Sequence, residues 1–332
     1  MMTAARVLVV GSINADITFE VAHLPAAGAT IVADAVRRAS GGKGANQAYA
    51  AARTAQGVRV LMAGAVGDDG VGAIMRGELA DAGVETSLIR EVNGPSGMAM
   101  IAVDAAGANL IVVAPGANHD WPDEPAPEIE PRDVVVLQLE LPLDVVTRVA
   151  EAARAAGARV ILNAAPVTPG AAHLLPLLDT LVVNEGEAAE LLGLSDLDDA
   201  RVGAAAAGHD LDLVITLGAE GAIVATRDGA VSRIPALTVE TVDTVGAGDA
   251  FVGALAVALA AGADLPDAAR RGAVAGALTV TVRGARHPDL SAALIDHALT
   301  ATVPDDSAPD DTAPDDTAPD DTLPRRTSSE PE

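Results

Sequence analysis

A carboxylate directly follows a run of small residues in the stretch DTVGAGDA, at positions 243–250. Gly246, Ala247 and Gly248 allow backbone N–H groups to approach an anion, such as a phosphoryl group, at the start of a helix. Asp249 would repel that anion if it faced the same way, so we expect it to point toward the group that accepts the phosphoryl. A carboxylate so placed can act as the general base that removes the proton from an attacking alcohol.

Two motifs near the amino end carry further polar groups. GSINAD places Asn14 and Asp16 just after a short apolar run, where an amide and a carboxylate could grip the vicinal hydroxyls of a polyol. An ordinary turn with a capping aspartate is the alternative. GGKGANQA combines glycines, which allow close backbone approach to a ligand, with Lys43 and Asn46. A flexible loop that ends in a helix cap is the alternative for this motif.

Acidic and amide side chains also follow two of the later apolar runs. Glu140 stands where the run DVVVLQL would otherwise continue. Asn184 and Glu187 are spaced i, i+3 across a helix start, which places them on one face. The pair could orient water molecules around Mg²⁺, which usually keeps several waters and few protein ligands. Helix capping alone is the alternative interpretation of the same two residues.

Several common kinds of site are absent from the sequence. The Walker pattern fails because Gly42 and Lys43 are followed by Gly44, and the dinucleotide fingerprint GxGxxG does not occur. The absence of cysteine excludes disulfides, thiolate catalysis and zinc sites built from cysteine. The six histidines are scattered without the spacing of metal ligands.

Charge and the length of the apolar runs limit the partners. The chain of 332 residues has 47 acidic and 21 basic residues and a net charge of -26, which argues against nucleic acid as a partner. The longest apolar run, 250–263, is shorter than the roughly 18 to 20 residues that span a bilayer, so we expect a buried core helix and no membrane segment. The beginning lacks the long apolar segment of a secretory signal, so we expect a cytoplasmic protein.

Six short apolar runs alternate with alanine-rich stretches, which is typical of a buried parallel sheet with crossover helices. Ligands of such sheets gather at the carboxyl ends of the strands, where several of the polar residues above lie. The runs are 6–11, 58–64, 133–139, 158–163, 180–184 and 212–218.

Two regions break this alternation, because each resembles a pair of strands with no helix between them. They predict a small second sheet that could close over the site as a lid. The regions lie within about 14–38 and 95–115, and the paired runs are 16–21 with 30–36 and 97–103 with 109–114.

The last part of the chain repeats PDDSA, PDDTA, PDDTA and PDDTL from Pro304 onward. Proline every fifth residue with paired aspartates neither forms a helix nor buries surface. We therefore expect one folded domain over 1–300 and a disordered acidic tail of Pro, Asp and Thr repeats over 301–332. A solubilising extension and a partner-binding segment are both open roles for this tail.

Taken in order, these motifs resemble those of the ribokinase-like (PfkB) carbohydrate kinase family from about Val7 to Pro288, with GGKGANQA and DTVGAGDAF as the specific signatures. The resemblance implies an α/β fold: a three-layer sandwich with a mostly parallel central sheet flanked by helices, plus a small β-sheet lid. It implies transfer of the γ-phosphate of ATP to the 5-hydroxyl of D-ribose, giving ribose 5-phosphate, and a homodimer made through the lid. A kinase for deoxyribose, another pentose or a nucleoside, and a sugar-binding regulator without catalysis, are the alternatives.

The same resemblance implies roles for individual residues. Asp249 matches the catalytic base. The sugar-binding set is matched by Asn14, Asp16, Gly42, Lys43, Asn46, Glu140 and Asp249. The nucleotide-binding set is matched by Asn184, Thr216, Gly218, Gly221, Gly246, Ala247 and Gly248. The metal positions are matched by Glu187, which would contact Mg²⁺ through water, and by Asp243, Val245 and Gly284, which would hold K⁺ as an activator.

Overall fold

A nine-stranded sheet flanked by helices forms the body of the protein in the computed structural model, which describes residues 5–121 and 126–301. In chain order, the strands are β1 (Arg6–Val10), β2 (Asn14–Val21), β3 (Ala35–Gly41), β4 (Arg59–Gly67), β5 (Glu85–Val92), β6 (Gly97–Asp104), β7 (Asn109–Ala114), β8 (Val134–Gln138), β9 (Arg159–Asn163), β10 (Thr180–Asn184), β11 (Asp212–Thr216), β12 (Ala222–Ala225) and β13 (Val231–Ile234). The helices are α1 (Lys43–Thr54), α2 (Val71–Asp81), α3 (Leu143–Ala156), α4 (Glu185–Leu192), α5 (Asp199–His209), α6 (Ala247–Ala260), α7 (Leu265–Thr279) and α8 (Ala292–Ala301). Short 3₁₀ helices occur at Gly116–His119, Ala171–Leu177 and Gly218–Glu220.

The central sheet has the strand order β13, β12, β11, β10, β9, β8, β1, β4, β5. Neighbours from β11 to β5 pair in parallel, whereas β12 pairs antiparallel with both β11 and β13. The six predicted apolar runs form β1, β4, β8, β9, β10 and β11, which lie side by side in the sheet. The prediction of a mostly parallel central sheet is therefore confirmed.

The apolar runs miss three strands: β5 and β13, which form the two edges of the sheet, and β12, which lies beside β13. Most residues of β5 are half-buried or exposed, so the strand lacks the continuous apolar run of a strand covered on both faces. β12 is buried but has only four residues, and it returns antiparallel beside β11 after a turn of a few residues. Edge position and short length explain why the pattern does not detect them.

Alternate residues of the central strands face two separate cores, which explains their nearly continuous apolar sequences. In β1, Val7 and Val9 belong to the core that α1, α2, α6 and α7 cover. Leu8 and Val10 belong to the core that α3 and α5 cover. Helices therefore cover both faces of the sheet, and the predicted three-layer arrangement is confirmed.

The predicted core helix at 250–263 is α6, which begins three residues earlier, at Ala247, and ends at Ala260. It is buried from Asp249 to Leu259 and lies between α1 and α7. A Cβ atom at Gly253 would lie 2.5 Å from the backbone oxygen of Gln47 in α1, so glycine permits the two helices to approach closely. This contact brings the GGKGANQA motif against the helix that follows DTVGAG.

The second sheet has the strand order β3, β2, β6, β7 and confirms the predicted lid sheet. Strands at 97–103 and 109–114 are confirmed as β6 and β7. The strand predicted at 30–36 is wrong, because the observed β3 covers Ala35–Gly41 and extends past the predicted limit at 38. Its pairing with β2 sets Asn14 opposite Gly41, just before α1 begins. This register, rather than the β-branched residues at 30–32, determines where the strand lies in the sequence.

The predicted acidic tail begins at the last residue of α8, and its residues 302–332 lie outside the described part of the chain, as do residues 1–4 and 122–125. The role expected for the tail therefore stays a prediction. Within the described ranges, every helix is too short or too polar to cross a membrane.

Candidate active site

The predicted site residues converge at the carboxyl end of the central sheet. β8, β10 and β11 end there, and α1 and α6 begin there. A cavity of about 240 Å³ at this edge is lined by Lys43, Asn163, Ala165, Val182, Asn184, Glu187, Thr216, Thr244, Gly246, Gly248, Asp249 and Val252. Residues from both glycine motifs and from the strand ends therefore share one cavity.

Asp249 is the third residue of α6, and its carboxylate lies against α1. Its Oδ2 accepts a hydrogen bond from Nδ2 of Asn46 at 3.2 Å, and its Oδ1 accepts one from Nε2 of Gln47 at 3.0 Å. Burial raises the pKa of Asp249, while the charge of Lys43 and the two amide hydrogen bonds act in the opposite direction. The carboxylate is held by neutral donors, so it can accept a proton from a ligand without first breaking an ion pair.

A buried chain of amides supports Asp249 from the sheet side. Gln47 also donates to Oδ1 of Asn163 at 3.0 Å, and its Oε1 accepts from Nε2 of Gln138 at 2.7 Å. Gln47 and Gln138 are almost fully buried. Each amide fixes the orientation of the next, which holds Nε2 of Gln47 toward the carboxylate of Asp249.

Asp16 is positioned by β2 at the start of the lid sheet. A Cβ atom at residue 41 would lie 2.0 Å from Oδ2 of Asp16, so Gly41 makes room for the carboxylate. No donor among the described residues forms a hydrogen bond with this carboxylate. Burial, then the charge of Glu140, raise the pKa of Asp16 to about 6, and the charge of Arg286 opposes them. Both oxygens of Asp16 are therefore available to a ligand with hydroxyl groups.

Asn14 has its amide orientation fixed by Asn118. Oδ1 of Asn14 accepts from Nδ2 of Asn118 at 2.7 Å, while Asn118 also forms hydrogen bonds with the backbone N–H and the carbonyl oxygen of Ile13. The carbonyl of the Asn14 side chain is thus occupied, and its NH₂ group is the part left for a ligand. A Cβ atom at Gly42 would lie 2.8 Å from the backbone nitrogen of Asn14, so the glycine motif approaches this strand closely.

Glu140 connects the end of β8 with the two motifs near the amino end. Its Oε2 accepts from Oγ of Ser12 at 2.5 Å and from the backbone N–H of Lys43 at 3.0 Å. Ser12 therefore belongs to the site, although the sequence motif GSINAD indicated only its neighbours Asn14 and Asp16.

The glycine turn before α6 leaves the start of that helix without a side-chain cap. Gly246 has φ of 78°, and a Cβ atom there would lie 2.2 Å from the backbone oxygen of Ala285. The N–H of Ala247 makes only a long contact of 3.4 Å with the oxygen of Thr244. Because the first N–H groups of a helix lack partners within it, this turn can bind an anion.

A second cavity of about 410 Å³ adjoins the first and shares Thr216, Thr244 and Gly248 with it. Its volume lies in the range of small-molecule sites, and aliphatic and aromatic side chains form much of its wall. It is lined by Thr216, Gly218, Ala219, Gly221, Ala236, Leu237, Thr238, Val239, Thr241, Thr244, Ala247, Gly248, Phe251, Ala273, Gly276, Ala277 and Val280. The predicted nucleotide-binding Thr216, Gly218 and Gly221 thus lie at one cavity, and Gly221 (φ 95°) passes close to the backbone of Ile234.

Asn184 and Glu187 form a complete capping box at the start of α4. Oδ1 of Asn184 accepts from the N–H of Glu187, and Oε2 of Glu187 accepts from the N–H of Asn184, both at 2.8 Å. Burial raises the pKa of Glu187. The described part of the chain contains no cluster of three or more metal-ligating side chains. One carboxylate in the cavity that the glycine turn also lines suits Mg²⁺, whose remaining ligands are usually water and phosphate oxygens.

The three residues predicted for a monovalent cation lie together. Oδ1 of Asp243 accepts from the N–H of Val245 at 3.1 Å, and Oδ2 accepts from the N–H of Gly284 at 2.9 Å. Asp243 thus joins the loop before the glycine turn to the late turn that carries Gly284.

Comparison with known proteins identifies the family. The family described as pfkB family carbohydrate kinase matches residues 4–292. The chain belongs to this family. Its fold is ribokinase-like, and the protein is a carbohydrate kinase, a transferase of the ATP-binding ribokinase family.

Individual relatives of this carbohydrate kinase are similar over most of their length. A ribokinase of Haemophilus influenzae is 37% identical over 84% of this chain and 93% of its own. A deoxyribokinase of Salmonella typhi is 34% identical over 84% of this chain and 93% of its own. The structure of Arabidopsis thaliana ribokinase complexed with ribose and ATP has a TM-score of 0.80 and 32% identity, and covers 90% of this chain and 99% of that chain.

Several site residues of the kinase escape prediction from single motifs. Gln47 lies within the motif GGKGANQA, and Gln138 lies within the apolar run 133–139. For Gln138, the signal in the sequence is a polar residue inside an apolar run. Asn118 lies in the 3₁₀ helix Gly116–His119 and Arg286 in a late loop, both far away in sequence, and they reach the site only through the fold. For these two residues, sequence spacing contains no signal.

Proposed function

We propose that this carbohydrate kinase is an ATP-dependent ribokinase that transfers the γ-phosphate to the 5-hydroxyl of D-ribose, giving ribose 5-phosphate and ADP. The observation that carries the proposal is Asp249, a buried carboxylate between the hydroxyl-binding residues and the uncapped start of α6. The ribokinase relatives and the Arabidopsis thaliana structure complexed with ribose and ATP support the choice of both substrates.

Asp249 acts as the general base in this proposal. Its carboxylate takes the proton of the 5-hydroxyl as the oxygen attacks the γ-phosphorus, and the bond from that phosphorus to the β–γ bridging oxygen breaks to release ADP. Asn46 and Gln47 hold both carboxylate oxygens and prevent the side chain from rotating. The N–H groups of the turn from Gly246 to Gly248 stabilise the negative charge on the transferred group.

The sugar is held on the lid side of Asp249. The two free oxygens of Asp16 can accept hydrogen bonds from two neighbouring hydroxyls, and the NH₂ group of Asn14 can donate to one of them. A 2-deoxy sugar offers one hydroxyl fewer, so the pair favours ribose. Gly42 and Lys43 lie beside this position, and Glu140 holds the motif that carries them.

The nucleotide occupies the two adjoining cavities. Its base and ribose fit the larger, apolar cavity beside Thr216, Gly218 and Gly221, and its phosphates extend past the glycine turn toward Lys43. Asn184 and Glu187 lie at the phosphate end, where Glu187 would hold Mg²⁺ through water. The ion would neutralise charge on the phosphates. Oxygen ligands of Asp243 and of the turns at Val245 and Gly284 suit K⁺ as an activator.

The outer face of the lid sheet supports a homodimer. Val36, Met100, Leu110 and Val112 share the face of the sheet opposite to Asp16. They expose between 44% and 55% of their surface, an unusual row of apolar residues for a sheet in contact with water. We expect a dimer in sedimentation equilibrium, and Val112→Lys to shift the mass toward that of one chain. A monomeric wild-type protein would contradict this part of the proposal.

A coupled assay for ADP release tests the proposed activity. Ribose, 2-deoxyribose, other pentoses and nucleosides would be compared at several concentrations, each with and without K⁺. We expect the highest kcat/KM with ribose. A higher kcat/KM with deoxyribose would favour the activity named for the Salmonella typhi relative, and binding without any ADP release would favour a regulator.

A further inference from the structure

Arg286 is a buried cation beside the sugar-binding residues, outside both glycine motifs. Its side chain is only 12% exposed, and its Nε donates to Oδ1 of Asn46 at 3.0 Å. The guanidinium lies 5.3 Å from the ring centre of Tyr49, and its Nη1 is 3.6 Å from Oε2 of Glu78. Contacts with α1 and α2 therefore fix its position from two sides.

The contact with Arg286 determines which way the amide of Asn46 faces. Because Oδ1 of Asn46 accepts from Arg286, its Nδ2 faces Oδ2 of Asp249, 3.2 Å away. A flipped amide would place its oxygen against the carboxylate and its NH₂ group against the guanidinium. Arg286 thus selects the one orientation of Asn46 that donates to the base.

Arg286 also brings positive charge to a group of carboxylates. Burial and the charge of Glu140 raise the pKa of Asp16 to about 6, and the charge of Arg286 opposes this rise. Asp249 and Glu78 also face Arg286, and Lys43 is the other cation that acts on Asp249. Removal of the guanidinium charge should therefore make ionisation of Asp16 harder.

The turn that carries Arg286 is attached to the glycine turn before α6. The N–H of Gly284 donates to Oδ2 of Asp243 at 2.9 Å. The backbone of Ala285 lies so close to Gly246 that a Cβ atom there would be 2.2 Å from its oxygen. Arg286 follows directly, so one turn contacts the anion site and reaches Asn46.

We propose that Arg286 is a positioning residue for Asp249. Arg286 holds the N–H groups of Asn46 toward the base, and it supplies positive charge to the sugar-binding carboxylates. The proposal rests on the proposed function, in which Asp249 takes the proton and Asp16 binds the sugar. Arg286 acts through Asn46 and through its charge, and it does not touch the reacting atoms.

Three substitutions separate the hydrogen bond from the charge. Arg286→Gln keeps an N–H donor at the same number of bonds from Cα as Nε but removes the charge. Arg286→Lys keeps the charge but removes the donor at that position, and Arg286→Met removes both. Arg283→Met is the matched control, because Arg283 is an exposed arginine of the same turn.

The assay measures kcat and kcat/KM from pH 5 to 9 with the sugar that gives the wild-type enzyme its highest activity. We expect Arg286→Met to lower kcat by about 10- to 100-fold, because the base is no longer held in place. Arg286→Gln should recover most of that loss, while the acidic limb of its kcat/KM profile moves to higher pH. Arg286→Lys should keep the acidic limb of the wild-type kcat/KM profile, but its kcat should be reduced. Arg283→Met should match the wild type.

Two results would overturn the proposal. One is a wild-type kcat in both Arg286→Lys and Arg286→Met; the other is an equal loss in all three variants with no movement of the pH limb, which would indicate a merely structural role. Thermal melts identify a variant that fails to fold, and the remaining two still decide the matter. An inactive wild-type enzyme would instead contradict the proposed function itself, so the two failures are distinguishable.

Discussion

The starts of α4 and α6 lie at the same edge of the sheet, and each helix has an acid as its third residue. In α4, Glu187 turns back to accept the N–H of Asn184, and Asn184 accepts the N–H of Glu187, so the helix start satisfies itself. In α6 the cap is Gly246, and Asp249 is held by amides of α1 instead. The N–H groups of α6 are consequently left for a ligand. An acid in the first turn thus caps its own helix when it accepts an N–H at that helix start. It is available for proton transfer when amides of another helix hold it.

The largest effect in this comparison should follow Asp249→Asn. General-base catalysis is typically worth about 100- to 10,000-fold, so we expect kcat to fall at least about 100-fold while ribose affinity is mostly kept. Steady-state kinetics and calorimetric titration with ribose measure the two quantities. Asp267→Asn is the matched control, because Asp267 is also the third residue of its helix, α7, but is exposed. Near-normal turnover in Asp249→Asn would contradict the assigned base.

The next effect concerns the glycine turn. Gly246→Ala should lower kcat by about 10- to 100-fold, because a side chain at φ of 78° meets the backbone of Ala285 and displaces the N–H groups of the turn. It should also lower the free energy of unfolding by more than about 1 kcal/mol. Gly262→Ala, at φ of 92° with open space around it, is the control for backbone strain alone. Equal kinetics in both variants would show that the turn has no catalytic part.

The sugar-binding end of the site should respond to pH through the carboxyl group of Asp16. Asp16, whose pKa is raised to about 6, must be ionised to accept two hydroxyls. Below pH 6 we therefore expect kcat/KM for ribose to fall about tenfold per unit. The sign for stability is opposite. Protonation of an acid whose pKa is raised on folding favours the folded state, fully so below its ordinary pKa of 3.8, and this contribution is lost as the pH rises through about 6. Asp16→Asn should remove this acidic limb, and an unchanged limb would assign it to another group.

The smallest effect should come from the capped helix. Asn184→Ala should lower the free energy of unfolding by about 1 kcal/mol, since it removes one half of the capping box of α4. Asp264→Ala removes the side-chain cap of α7 at a distance from the phosphates and should cost a similar amount. Denaturant unfolding measures both. We expect only Asn184→Ala to raise the Mg²⁺ concentration needed for half-maximal activity; an equal requirement in both variants would make Asn184 purely structural.

Much of the fold could be predicted because its cause is local. A parallel strand with helices on both faces must be apolar at nearly every position, so six runs are visible in the sequence. The edges did not follow this pattern, since β5 is only partly covered and β12 is short. β3 was misplaced because its position depends on the register with β2, and β-branched residues carry no information on register.

The candidate site divides in the same way. The sequence by itself determined the two glycine motifs and the acids around them, because backbone approach to a ligand requires glycine and proton transfer requires an ionisable group. Only the tertiary structure decided that Glu187 completes a helix cap and that Gln47 holds Asp249. It also decided that Asn118 and Arg286 orient two amides of the proposed sugar site. These roles depend on hydrogen bonds between distant parts of the chain. Helix packing and strand register, rather than residue type, determine which donor lies beside which acceptor.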